Sequence, residues 1–128
     1  MAEDKDSSDG KQKSADLKVR TKAFALRIIR LYCALPRTTL EQTLGKQILR
    51  SGTSVGAHYR EGMRSRSTAE FISKMEGGLQ ELEETAYWLE LMVESAIFSA
   101  DKLADLQQEA EEITAMLVRS VKTAKEKK

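Results

Sequence analysis

The sequence predicts an all-α fold, an antiparallel four-helix bundle, and three observations carry the prediction. Apolar residues recur at three- and four-residue steps along four long segments. The breaks between those segments are short and hold helix-stop or helix-start chemistry, which favours antiparallel neighbours. The composition is 32% charged and 5% aromatic with a single proline, which suits helices better than sheet. At 128 residues the chain makes one domain with enough apolar surface for a core without staples.

Residues 1–13 are polar, charged and without periodicity, and are expected to form a disordered tail. The bundle is expected over 14–125, with 126–128 as a frayed C-terminus. Ser14 or Asp16 can cap a first helix, along which Phe24, Ile28, Leu31 and Leu35 keep one stripe. Pro36 lacks an N–H and disfavours helical geometry at Leu35, so the helix stops there. Cys33 is the one cysteine, so no internal disulfide can form; it reads as a small core hydrophobe.

Thr38 to Glu41 reads as a capping box opening a second helix, in which the threonine oxygen takes an orphan N–H and Glu41 reaches back. Gly45, Gly52, Gly56 and Gly62 then interrupt good helix formers, each at up to about 1 kcal/mol relative to alanine. Close helix approach or a local bend is the simplest compensation. At about 100° per residue, Lys46, Arg50, Arg60 and Arg64 share a sector of roughly 80°. Leu44, Ile48, Val55 and Tyr59 lie opposite, so one face is for burial and the other for positive charge.

Ser67 to Glu70 is a second capping box and starts a third helix almost directly after the second. Phe71, Met75, Leu79, Leu82, Ala86, Leu89 and Val93 form its expected core stripe. Tyr87, Trp88, Leu91 and Phe98 fall on the far side, and a helix with two apolar faces must bury both or carry a sticky surface. Those four residues are the expected interface of a homo-oligomer larger than a dimer. Flanking helices of the same chain are the competing cover. Ser99 to Asp101 caps a fourth helix, where Leu103, Leu106, Ala110, Ile113, Leu117 and Val121 repeat the spacing.

Net charge is only +1, but the signs are segregated. Leu17 to Arg66 holds eleven basic residues against two acids, a net of +9; Glu76 to Glu112 holds eleven acids against one lysine, a net of −10. Such asymmetry bears on partners and self-assembly rather than on fold. Catalytic chemistry finds little footing. The di-metal site of helix bundles needs two Glu-x-x-His motifs, and this chain has one histidine, His58, with Val at position 55. His58 borders the apolar arc and reads as a packed or boundary residue. No metal or other cofactor is expected, and nothing argues for an enzyme. No apolar run is long enough to span a bilayer and the N-terminus has no signal-type segment, so no membrane partner and a cytoplasmic location are expected.

From Leu49 to Leu91 the chain resembles a specific family. Arg50-Ser51, Ser54-Val55, Ala57, Arg60-Glu61-Gly62, Arg64, Ser67, Glu70-Phe71, Leu79 and Glu81 to Glu84 carry the match. It resembles the bacterial four-helix proteins encoded in intervening sequences of large-subunit ribosomal RNA genes, the S23-like family. More distantly it is similar to the accessory variability determinant of diversity-generating retroelements. The resemblance implies a ring-like homo-oligomer, a pentamer in the family form, and a role in binding nucleic acid, with a reverse transcriptase or other protein as a possible partner.

Two functional expectations follow. The first is a non-catalytic oligomer binding RNA or DNA with low sequence specificity. Its phosphate contacts would be Lys46, Arg50, Arg60 and Arg64, with Arg27, Arg30 and Arg37 from the first helix and its loop. The second is a structural interaction module or accessory subunit, whose basic second helix meets the acidic third helix of a neighbour.

Overall fold

The computed structural model describes residues 2–127, with side chains described from residue 16 onward. Four helices follow in order: α1 (Ala2–Cys33), α2 (Thr39–Met63), α3 (Thr68–Glu94) and α4 (Ala100–Glu126). Each packs on the next and α4 returns to α1, while the backbones of the diagonal pairs stay apart among the described residues. The expectations for residues 1–13 and for Ser14 fall outside the described side chains. Asp16 is not a cap: it lies within α1, 4.0 Å from the Arg20 guanidinium.

The helix ends follow local chemistry. α1 stops three residues before Pro36, and Gln42 ties the corner, accepting from the Tyr32 hydroxyl and donating to the Pro36 carbonyl, both at 3.0 Å. Thr38 occupies the N-cap of α2 but makes no capping bond. Its hydroxyl donates to the Glu41 carboxylate instead, which holds that carboxyl below its usual pKa. Ser67 does cap α3, accepting from the Glu70 N–H at 3.1 Å, while Glu70 reaches back to the Arg66 N–H at 3.4 Å. Ser99 is the N-cap of α4 by backbone geometry, without a side-chain bond.

The core runs the length of the bundle through Phe24, Ile28, Ile48, Val55, Met75, Leu82, Leu89, Met92, Ile113 and Leu117, all essentially inaccessible. Burying each such side chain is worth about 1.5–3 kcal/mol. The expected stripes of α1 and α4 are buried as read. The stripe of α3 needs correction. Its buried residues are Ile72, Met75, Gly78, Leu82, Thr85, Leu89 and Met92, whereas Ala86 is exposed and Phe71, Leu79 and Val93 are half-buried. Gly78 and Thr85 hold core positions that an apolar pattern skips. Cys33 is likewise exposed rather than in the core. It stands four residues after Ile29 and seven after Leu26, both on the outer face of α1.

All four glycines of α2 are buried, and close approach explains them. A Cβ at Gly52 would sit 2.7 Å from Ile28 Cγ1, one at Gly45 2.6 Å from Leu35 Cδ1, and one at Gly56 3.3 Å from Thr21 Oγ1. These contacts put α1 and α2 antiparallel with their axes drawn together. A Cβ at Gly62 would collide with the Met75 methyl on α3. In return, α3 offers Gly77 and Gly78 to the His58 ring and to the Val55 carbonyl. His58 is half-buried, as a boundary residue should be, and its Nδ1 is enclosed without a hydrogen-bond partner.

Candidate nucleic-acid interface

The outward face of α2 is set by what its inward face buries. With Ile48, Val55 and Tyr59 in the core, Lys46, Arg50, Arg60 and Arg64 are all exposed. Their environments differ. The Arg50 guanidinium reaches sideways to α3, donating from Nη1 to Glu81 at 2.8 Å and from Nη2 to Glu84 at 2.6 Å. The Glu84 bond is the larger cause raising its pKa above the usual arginine value. One positive and two negative charges leave that spot net acidic. Lys46, Arg60 and Arg64 have no carboxylate within ion-pair distance among the described residues. Glu61, the acid nearest Arg60 and Arg64 in sequence, is turned toward α3 and held by Lys74 at 2.9 Å.

The other expected phosphate contacts disperse. Arg27 lies seven residues after Arg20, hence on the same side of α1. That side faces α4, because Arg20 donates to Glu109 at 2.6 Å and to Glu112 at 2.9 Å. Arg27 is half-buried there, away from the α2 stripe. Arg30 is exposed in the last turn of α1, and Arg37 is exposed in the loop to α2. Two cations absent from the expected set are better placed. Lys18 and Lys22 flank Thr21, whose hydroxyl meets Gly56, so both lie on the flank of α1 level with Arg60. Both are exposed. The signal was concealed because the residue that orients them, Thr21, is polar yet fully buried, its hydroxyl donating to the Leu17 carbonyl at 2.8 Å.

The expected oligomer patch divides. Tyr87 is 54% exposed. Trp88 and Phe98 pack against the core of their own chain, and Leu91 is half-buried. Trp88 lies four and seven residues beyond Glu84 and Glu81, on the flank of α3 that meets α2. Its ring centroid is 5.2 Å from that of Tyr87, and its Nε1 is enclosed with no acceptor. Further exposed apolar residues are Val19, Leu26 and Ile29 on α1, Leu40 and Met63 on α2, and Val118 on α4. Among the described residues no three His, Cys, Asp or Glu side chains stand together as a metal site, and no helix is long and apolar enough to cross a membrane.

Comparison with known proteins agrees with this architecture. A crystal structure from Bacteroides thetaiotaomicron, of a protein with unknown function from the S23 ribosomal protein family, is 37% identical. The likeness covers 86% of this chain and 98% of that one, with a TM-score of 0.82. A search among curated proteins gave no match. The family model described as 23S rRNA-intervening sequence protein matches residues 14–119, most of the bundle. The chain therefore belongs to the 23S rRNA-intervening sequence protein family.

Proposed function

We propose that this protein is a non-catalytic, oligomeric nucleic-acid-binding protein, with RNA as the favoured ligand and little sequence preference. One observation carries the reading. Lys46, Arg60 and Arg64 stay exposed on one edge, with Lys18 and Lys22 beside the Arg60 end, while nearby Arg50 and Lys74 are neutralised by acids of the same chain. Unpaired cations along one helix supply the sequence-independent phosphate attraction of such proteins. Oligomerisation would repeat the edge and sum modest contacts into useful affinity.

The salt dependence of binding is the test. Log affinity for duplex DNA should fall with log salt at about −0.9 per neutralised phosphate, and nearer −0.7 for a single strand. Arg60→Gln with Arg64→Gln should weaken binding and flatten the slope, whereas Arg50→Gln should change it little. No salt-dependent binding, or equal loss on removing Arg50, would refute the assignment.

A structural module remains the second reading, favoured by Tyr87, whose ring projects from α3 among the exposed acids Glu83 and Glu90. On that reading the basic edge of one copy meets the acidic edge of the next. Light scattering on the wild type and on Tyr87→Ala tests it. Loss of assembly together with weaker but still salt-dependent binding of nucleic acid would assign Tyr87 to the oligomer and leave the cations to the ligand.

A further inference from the structure

The outward face of α2 has a second feature, and it concerns which nucleic acid the cations suit. Between Lys46 and Arg60 the face is low and smooth, made by Thr53, Ser54 and Ala57. Of the long side chains bordering that stretch, Arg50 is drawn onto Glu81 and Glu84 and Glu61 onto Lys74, while Leu49 is half-buried and Gln47 stays exposed at the edge. Both residues are half-exposed, yet their hydroxyl protons are committed to the helix backbone. Thr53 donates to the Leu49 carbonyl at 2.7 Å and Ser54 to the Arg50 carbonyl at 2.6 Å. Each oxygen therefore meets an incoming ligand as an acceptor.

A phosphate backbone offers only acceptors, and the donors on base edges occur only at particular base pairs, whereas this face is read as having little sequence preference. A ribose 2′-hydroxyl is the donor that fits. A-form RNA displays rows of 2′-hydroxyls across a wide, shallow minor groove. Single strands are bound on aromatic stacking platforms. Here Tyr59 is buried, Tyr32 is half-buried with its hydroxyl given to Gln42, and the exposed Tyr87 is on α3. Lys46 stands 14 and 18 residues from Arg60 and Arg64, a span of roughly 21–27 Å at the helical rise. That span is long enough for the two ends to meet different strands of one duplex.

We propose that the outer face of α2 lies across the shallow groove of an RNA duplex, with Thr53 and Ser54 accepting from 2′-hydroxyls between phosphate contacts at Lys46 and at Arg60 and Arg64. The proposal rests on the nucleic-acid reading above and deepens it by naming the helical form and the sugar.

The test compares, for the full chain at one salt concentration, a short RNA duplex, a DNA duplex of the same sequence, and one of the RNA strands alone. The RNA duplex should bind about tenfold tighter than either. Thr53→Val with Ser54→Ala should bring the RNA duplex down to the level of the DNA duplex and leave DNA binding unchanged. Unaltered helicity and melting would show that the double variant is folded, and Thr53→Ala with Ser54→Ala provides a second form of the same test. Equal binding of all three ligands, tighter binding of the single strand, or an RNA preference that survives both double variants would overturn the inference while leaving the broader reading intact. If no ligand binds, both fall.

Discussion

Two seams of this bundle are closed by different means. Along α2 neighbouring side chains seat directly on glycine backbone, Ile28 on Gly52 and Leu35 on Gly45, and α3 returns Gly77 and Gly78 to His58. The α1–α4 seam is instead bridged by one long side chain: Arg20 forks onto Glu109 and Glu112, with its Nη1 3.4 Å from Met116 Sδ. A backbone contact tolerates no added volume, whereas a bridge is sensitive to charge and nearly indifferent to volume. The rigid scaffold is thus α2 with its two neighbours, and the candidate ligand face lies on the outside of that scaffold.

Volume added to the first seam should have the largest effect. Gly52→Leu places a Cβ within 2.7 Å of the buried Ile28, and a helix–helix shift must make room for the rest. The expected loss is about 3 kcal/mol, the upper end of overpacking costs. Gly56→Leu should cost less, about 1–2 kcal/mol, since its first neighbours are more distant. Denaturant midpoints would settle both, and wild-type values would mean that the α1–α2 contact yields freely to added volume.

Charge removed from the second seam should come next. Arg20→Gln leaves Glu109, 21% exposed, without its fork, and about 1–2 kcal/mol is expected, between a surface pair and a buried one. The pH dependence is more informative. The Arg20 hydrogen bond, ahead of the one from Gln108, holds the Glu112 carboxyl below its usual pKa. Its contribution is therefore complete above the unfolded carboxylate value, about 4.3, and is lost as pH falls through the depressed folded value. Lys74 acts on Glu61 in the same direction. Arg20→Gln should flatten the acid limb of stability at the first site while leaving the Glu61 part in place. An unchanged acid limb would show that Arg20 does not bind these acids in solution.

The two seams also explain what could be read from the chain alone. Four helices, the Pro36 stop and the Ser67 cap are written in spacing and local chemistry, and the α2 glycines announced close contact before any partner was known. The α3 face was misplaced because Gly78 and Thr85 carry no hydrophobic signal, although both are buried. For the same reason Thr21, and with it the placement of Lys18 and Lys22, was invisible. The α2 charge stripe was legible, being a property of one helix. That Arg50 is already paired was not, because pairing depends on the register between α2 and α3, which no single-helix pattern encodes.

That register can be probed from inside. Ser51 and Thr85 are fully buried with their hydroxyls 2.8 Å apart, and Thr85 also donates to the Glu81 carbonyl at 2.8 Å. Ser51 is then the donor of the shared bond. Thr85→Val keeps the shape and strands the Ser51 proton, apart from a 3.5 Å approach to the Ile48 carbonyl. A loss of about 1–2 kcal/mol is expected, whereas Ser51→Ala with Thr85→Val should recover part of it by removing both polar groups. No recovery in the double variant would mean that packing, rather than the stranded proton, sets the cost.

The smallest effect has the opposite sign and lies outside both seams. α3 ends at Ser95 with the Ala96 N–H on the Val93 carbonyl at 3.0 Å and the Ile97 N–H on the Met92 carbonyl at 2.9 Å. This is the double-bonded termination that places the residue after the cap in the left-handed region, usually as glycine. Here that residue is Ala96, at φ 62°. A left-handed alanine costs about 1–2 kcal/mol, and glycine would remove that strain at an entropic cost of about 0.4–1 kcal/mol in the unfolded chain. Ala96→Gly should therefore stabilise by about 0.5–1 kcal/mol, and the gain should add to the losses above, since the turn shares no partner with Gly52, Arg20 or Thr85. Thermal unfolding of the single and combined variants measures both. A destabilised Ala96→Gly would show that the α3–α4 turn adopts another conformation in solution, and non-additivity with Gly52→Leu would show that the turn and the α2 scaffold move together.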